Sequence, residues 1–184
     1  MIEKVIMAGF GGQGIMSIGQ MLAYAGMTES KEVSWLPSYG PEMRGGTANC
    51  HVIVSDTEVA SPVVYDATAA LILNKPSLYK FEDSVKKDGF LLINSSLIDV
   101  KTDREDVHAY YIPANDIALE LGNIRIANMV MLGAYIALSQ VVKMDSIIES
   151  LKKVLGKAKE NLVEVNVKAL LKGASIVQAA SVAV

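Results

Sequence analysis

The sequence predicts an α/β protein: three layers, α/β/α, around a mixed, mostly parallel, Rossmann-like sheet that contains an antiparallel hairpin. Three observations carry this reading. A short apolar run at residues 4–8 leads into Gly9-Phe10-Gly11-Gly12-Gln13-Gly14 and then into apolar residues at helical spacing. Short β-rich runs alternate with helical patterns along the first two thirds of the chain. Residues 47–55 and 59–64 flank the turn-like Ser55-Asp56-Thr57-Glu58, so the second run is expected to return antiparallel to the first and make the sheet mixed.

Taken in order, residues 4–8 form the first strand, and Ile15, Ile18, Met21, Leu22 and Ala25 mark the buried face of the first helix. A second strand is expected at residues 32–36, stopped by Pro37. Residues 69–73, 90–93 and 107–112 read as further strands, and Pro76 opens a helix that reaches about residue 85. Asn115-Asp116 is expected to cap a short helix ending near Gly122. Residues 126–142 form a central helix. Asp145 is expected to cap an amphipathic helix carrying Ile147, Ile148, Leu151, Val154 and Leu155. Residues 159–172 are helical by period, although Val163, Val165 and Val167 also alternate. Residues 174–184 form an apolar, small-residue tail, read either as an interface segment or as a frayed end, behind a single domain at 1–173.

Composition narrows the function classes. About half of the 184 residues are apolar, 51%, enough for a core without disulfides or metal. A net charge of −3 argues against general nucleic-acid binding. The single cysteine, Cys50, excludes an internal disulfide and a four-cysteine cluster made by this chain alone, and a reducing cytoplasm fits best. No secretory signal is expected, since the first residues already read as a strand. Residues 126–142 lack charge over a length that borders on a membrane span, but Asn128, Gly133, Ser139 and Gln140 interrupt them. A buried core helix is the better reading.

Gly9, Gly11 and Gly14 satisfy G-x-G-x-x-G between a strand and a helix, where exposed amides favour an anion. The candidate ligand-binding residues are therefore Gly11, Gly12, Gln13 and Gly14. The competing reading is that the same glycines make a tight turn needed for packing alone. A dinucleotide site needs an acid at the end of the second strand, and Leu36-Pro37-Ser38 supplies none. The second glycine-dense loop, Tyr39-Gly40-Pro41-Glu42-Met43-Arg44-Gly45-Gly46-Thr47, offers Arg44 as a fork for phosphate or carboxylate, unless Glu42 pairs with it. Both loops follow strands and are expected at the same carboxyl-end edge of the sheet. Cys50 and His51 are adjacent on a strand and face opposite ways, so they are poor partners in catalysis or metal binding. No catalytic set is assigned.

These residues together carry a resemblance. The two glycine segments, with Ala48-Asn49-Cys50 after the second, followed by Asn74-Lys75-Pro76-Ser77, Asn94-Ser95-Ser96-Leu97-Ile98 and Ala127-Asn128-Met129-Val130-Met131-Leu132-Gly133, closely resemble the gamma subunit of 2-oxoacid:ferredoxin oxidoreductases, the pyruvate/ketoisovalerate oxidoreductase gamma domain family. The resemblance spans roughly residues 1–173. It implies a subunit that supports coenzyme A-dependent oxidative decarboxylation of a 2-oxoacid, with ferredoxin as electron acceptor. It also implies alpha, beta and delta (ferredoxin-like) partner subunits that hold thiamine diphosphate, Mg and iron–sulfur clusters, with coenzyme A as the candidate ligand of this chain. Pyruvate-type gamma chains carry Gly-Pro-Glu-Arg-Arg-Gly-Ala-Pro in the second loop. Gly40-Pro41-Glu42-Met43-Arg44-Gly45-Gly46-Thr47 looks more like the 2-oxoglutarate or branched-chain types, and the indolepyruvate enzyme stays open. The rival reading is a stand-alone phosphate- or nucleotide-binding or regulatory module without catalysis. An isolated gamma-type chain, with its apolar tail from Ile176, is expected to self-associate as a homodimer or to expose an apolar surface. Neither nucleic acid nor membrane is an expected partner.

Overall fold

A computed structural model describes residues 1–39, 46–156 and 161–182. Six strands form one sheet: β1 (Ile2–Phe10), β2 (Glu32–Tyr39), β3 (Thr47–Ser55), β4 (Ala67–Ile72), β5 (Val85–Asn94) and β6 (His108–Ile112), in the order β2-β3-β1-β4-β5-β6. β3 runs antiparallel to β2 and to β1, and the other neighbours are parallel. The mixed, mostly parallel sheet is as expected, but its antiparallel hairpin is β2–β3 across the second glycine loop. Residues 59–64 are not a strand. Both flanks of β3 are already occupied, by β2 and by β1, so a returning segment there has no edge to join.

Helices cover the sheet unequally. Five of them, α1 (Ile15–Thr28), α3 (Ala114–Glu120), α4 (Ala127–Ser139), α5 (Met144–Leu155) and α6 (Val163–Val182), share one core with Val5, Met7, Cys50, Val52, Leu71 and Leu92. The opposite face, with Ile6, Ala8, Ile53, Ile72, Leu91 and Ile93, is covered by α2 (Lys75–Phe81) and by loop residues such as Val64, Ile98 and Val107. β4 is buried along its whole length, which matches its unbroken apolar sequence and its cover on both faces.

Local chemistry explains some element ends. Asn74 caps α2 by accepting the Ser77 N–H at 2.9 Å, with Pro76 in the first turn. β2 continues past Pro37, which pairs with Cys50. The missing N–H is tolerated because β2 is an edge strand. α3 starts after Pro113, and Asn115 and Asp116 lie inside its first turn rather than capping it; likewise Lys143 precedes α5, and Asp145 lies in its first turn. The valines at 163, 165 and 167 are helical, and α6 runs unbroken through Gly173 to Val182. The uncharged run is the core helix α4, buried on every side from Ala127 to Ile136. Among the described residues no helix is long and apolar enough to cross a membrane.

α4 and α6 touch backbone to backbone. A Cβ on Gly133 would overlap the Leu170 carbonyl oxygen, and one on Gly173 would overlap the Val130 carbonyl oxygen. Two glycines thus set the distance between these helices, one supplied by each.

Cys50 lies in the large core, fully buried, with its Sγ donating to the Ile15 carbonyl at 3.6 Å. Burial pushes its thiol up to about 12. His51 faces the other way, accepts the Val64 N–H at Nδ1 and has its pKa lowered, first by burial and then by Lys80. Iodoacetamide at pH 8 is therefore expected to leave Cys50 unmodified in the native protein and to label it fully in denaturant, as read by mass spectrometry. Fast native labelling would contradict the burial.

Candidate functional site

The site is built where β1, β4, β5 and β6 end. Because β1 and β2 point the same way, the glycine turn after β1, the end of β2 and the start of β3 lie at this edge. The first and last of these are joined there: the Gly11 N–H donates to the Gly46 carbonyl at 2.9 Å, continuing the β1–β3 ladder.

The glycine turn is held by Gln13. Its Oε1 accepts the Phe10 N–H at 2.6 Å and its Nε2 donates to the Leu73 carbonyl at 3.3 Å, while its own N–H returns to the Phe10 carbonyl at 3.1 Å. Gln13 therefore staples the turn to the end of β4, and its side chain is already engaged. Gly14 is the N-cap of α1, at φ 75° and ψ 25°. Its carbonyl accepts the Ile18 N–H at 3.2 Å and the Asn128 Nδ2 at 3.1 Å, across 114 residues of sequence. Gly12, at φ 95°, has open space beside it.

This geometry sorts the amides. Those of Gly11 and Gln13 are spent within the protein, whereas no described residue takes the N–H of Gly12 or Gly14. The first turn of α1 adds its own unpaired N–H groups and carries no acid to offset the positive end of the helix dipole.

A cavity of about 190 Å³ opens beside the turn, between Gly12 and Gln13 on one side and Asn115, Arg125 and Asn128 on the other. Arg125 lies in the 3-10 turn Ile124–Ile126, capped by Asn123, which leads into α4. It is exposed, and no described acid pairs with its guanidinium. Asn128, in the first turn of α4, is only 6% exposed, and its Oδ1 has no hydrogen-bond partner among the described residues. Asn94 donates through Nδ2 to the Asn115 Oδ1 at 2.8 Å, which fixes that side of the cavity.

Of the residues singled out from the sequence, Gly11, Gly12, Gln13 and Gly14 come together at this edge. Arg44, with Gly40, Pro41, Glu42 and Gly45, lies outside the described residues. β2 ends in Pro37-Ser38-Tyr39, so the ribose-binding acid of a dinucleotide site is absent from that strand end. Among the described residues no group of three His, Cys, Asp or Glu side chains could hold a metal. Sequence reading missed Arg125. The one signal for it is the Asn123-Ile124-Arg125 cap immediately before an uncharged helix.

The pyruvate ferredoxin/flavodoxin oxidoreductase family profile matches residues 4–176. The chain belongs to that family. Curated relatives include the ketoisovalerate oxidoreductase subunit VorA of Methanothermobacter marburgensis, 38% identical over 93% of this chain and 36% of the relative. The 2-oxoglutarate synthase subunit KorC of Methanocaldococcus jannaschii is 34% identical over 94% of this chain and 92% of the relative. The chain thus spans about a third of the VorA relatives and nearly all of this KorC. Among solved structures of the family, the gamma subunit of a keto/oxoacid ferredoxin oxidoreductase from Geobacter sulfurreducens has TM-score 0.80 and 28% identity, with 94% of this chain and 96% of that one covered. The 2-oxoglutarate:ferredoxin oxidoreductase of Magnetococcus marinus, with 2-oxoglutarate, coenzyme A and succinyl-CoA bound, has TM-score 0.88 and 27% identity over 97% of this chain and 31% of that one.

Proposed function

We propose that this chain is the gamma subunit of a multi-subunit 2-oxoacid:ferredoxin oxidoreductase, which converts a 2-oxoacid and coenzyme A to acyl-CoA and CO2 and reduces ferredoxin. The observation that carries this is the match with the 2-oxoglutarate synthase subunit KorC over nearly the full length of both chains. Alpha, beta and delta subunits supply the thiamine diphosphate, Mg and iron–sulfur clusters, in the cytoplasm. Residues 1–173 form the gamma-type domain, and of the apolar stretch 174–184, residues 174–182 continue α6, with Ala174 and Val177 buried. The second loop, with Met43 and Gly46-Thr47, favours 2-oxoglutarate or a branched-chain 2-oxoacid.

The glycine edge would hold phosphates of coenzyme A, whose thiol is the acyl acceptor. The N–H groups of Gly12 and Gly14 and of the first turn of α1 have no partner among the described residues and would do so, and Gly11 and Gln13 hold the turn in shape. Arg44 is proposed as a second contact.

The test is made on the assembled complex. Tagged chain is expected to co-purify with its partner subunits, and the complex to reduce ferredoxin only when 2-oxoacid and coenzyme A are both present. The isolated chain should be colourless and inactive. Arg44→Ala is expected to raise the KM for coenzyme A about tenfold, the value of a charge-assisted hydrogen bond, with little change in that for the 2-oxoacid. Turnover by the isolated chain, free of partners, would overturn the subunit assignment; an unchanged coenzyme A dependence would remove Arg44 from the site.

A further inference from the structure

We propose that the cavity between the glycine turn and the start of α4 is a subsite for one phosphate group of a larger ligand, in which Arg125 takes the phosphate and Asn128 takes a hydrogen-bond donor on the same molecule. The proposal rests on the coenzyme A reading above and gives that reading a second set of residues.

Three independent features converge on it. The first is charge. Arg125 is an exposed guanidinium with no described acidic partner, and neither α1 nor α4 carries an acid in its first turn. Both helices begin beside the cavity, so an anion there meets two positive helix ends and one planar fork of donors.

The second is the unpartnered Asn128 Oδ1. The orientation of this amide is fixed by its neighbour: the Gly14 carbonyl can only accept, so Nδ2 must face it, and the acceptor Oδ1 is left over. A buried acceptor without a donor is costly. A phosphate dianion cannot supply one. A ligand that brings a hydroxyl, amide N–H or amino group next to its phosphate can.

The third is size. About 190 Å³ is below the roughly 300–1,000 Å³ that encloses a whole drug-sized ligand. The cavity holds a phosphate and the atoms beside it, and the remainder of the ligand extends out of the mouth. Coenzyme A, with several phosphates and with hydroxyl and amide donors along its length, has this chemistry.

The experiment uses the full chain and the assembled complex. The full chain is titrated separately with inorganic diphosphate and with coenzyme A, and the amide NMR signals of Gly12, Gly14 and Asn128 are followed. Both probes are expected to move these signals. Arg125→Gln, a surface change that leaves the fold intact, should weaken each about tenfold or more, and Arg125→Lys should restore part of the loss. In the complex, Arg125→Gln should raise the KM for coenzyme A and leave that for the 2-oxoacid unchanged. If neither probe moves these amides, or if Arg125→Gln leaves both affinities as they were, the subsite is wrong even where the complex still needs coenzyme A. If diphosphate binds here and the complex turns over without coenzyme A, the subsite stands and the coenzyme A reading falls.

Discussion

Gly133→Ala is expected to lower the melting temperature by roughly 6–12 °C, from a destabilisation of about 3 kcal/mol. A methyl group at this position meets a backbone carbonyl, that of Leu170, rather than the end of a side chain. Backbone cannot rotate away, so α4 and α6 must separate along their whole contact. The gain in helix propensity from alanine, about 1 kcal/mol, offsets only part of this. Gly26→Ala is the comparison. There the nearest atoms are side-chain methyls of Val33 and Val54, at 2.7 and 3.1 Å, which can adjust, so the loss should be smaller. Thermal unfolding of the two variants checks the order; equal losses would show that the α4–α6 distance is not set at Gly133.

Gly14→Val should be at least as damaging, for a different reason. The residue has positive φ, which a β-branched side chain rarely adopts, and its Cβ would run into the Asn128 side chain. Strain of about 1–3 kcal/mol adds to the loss of the Asn128–Gly14 hydrogen bond. A fall of roughly 5–15 °C in melting temperature is expected, with poor assembly into the complex. Gly12→Ala separates fold from function, because it shares the positive φ but meets no atom within 4 Å. It should cost less stability while still obstructing a ligand at the turn. Melting temperature, assembly and coenzyme A dependence are measured on both. A Gly14→Val protein that melts normally would contradict the contact with Asn128.

What the sequence revealed depended on how local the cause was. β3 was legible to the residue, because Thr47 and the β-branched run Val52-Ile53-Val54 lie between Gly46 and the turn-forming Asp56. The strand–turn–helix of β1 and α1 was equally plain, and the Asn74-Lys75-Pro76 start of α2 carries its own cap. Residues 59–64 misled because Val59, Val63 and Val64 have strand propensity, whereas strand pairing is decided by which edges are free, and β3 had none. Pro37 reads as a stop only if its strand has neighbours on both sides. In the site, the glycine turn and its position on the sheet edge could be read from spacing. The bond from Asn128 to Gly14 and the contact between Gly133 and α6 join distant parts of the chain, and no local pattern encodes either. Arg125 stood out only after the fold placed it opposite Gly12.

The strand order has a consequence for synthesis. β1 is synthesised before both of its partners, yet it lies inside the sheet; they are β3 and β4, which ends at Ile72. At about 5–20 residues per second, the strand waits roughly 3–12 s for the last of them. Until β3 is complete at Ser55, an apolar segment, with Val5, Ile6 and Met7 at its centre, has no partner strand, and its other flank stays open until β4 follows. Nascent-chain crowding and chaperone capture should therefore concentrate on β1. A polar substitution there would be felt in yield before it is felt in the activity of the protein that survives.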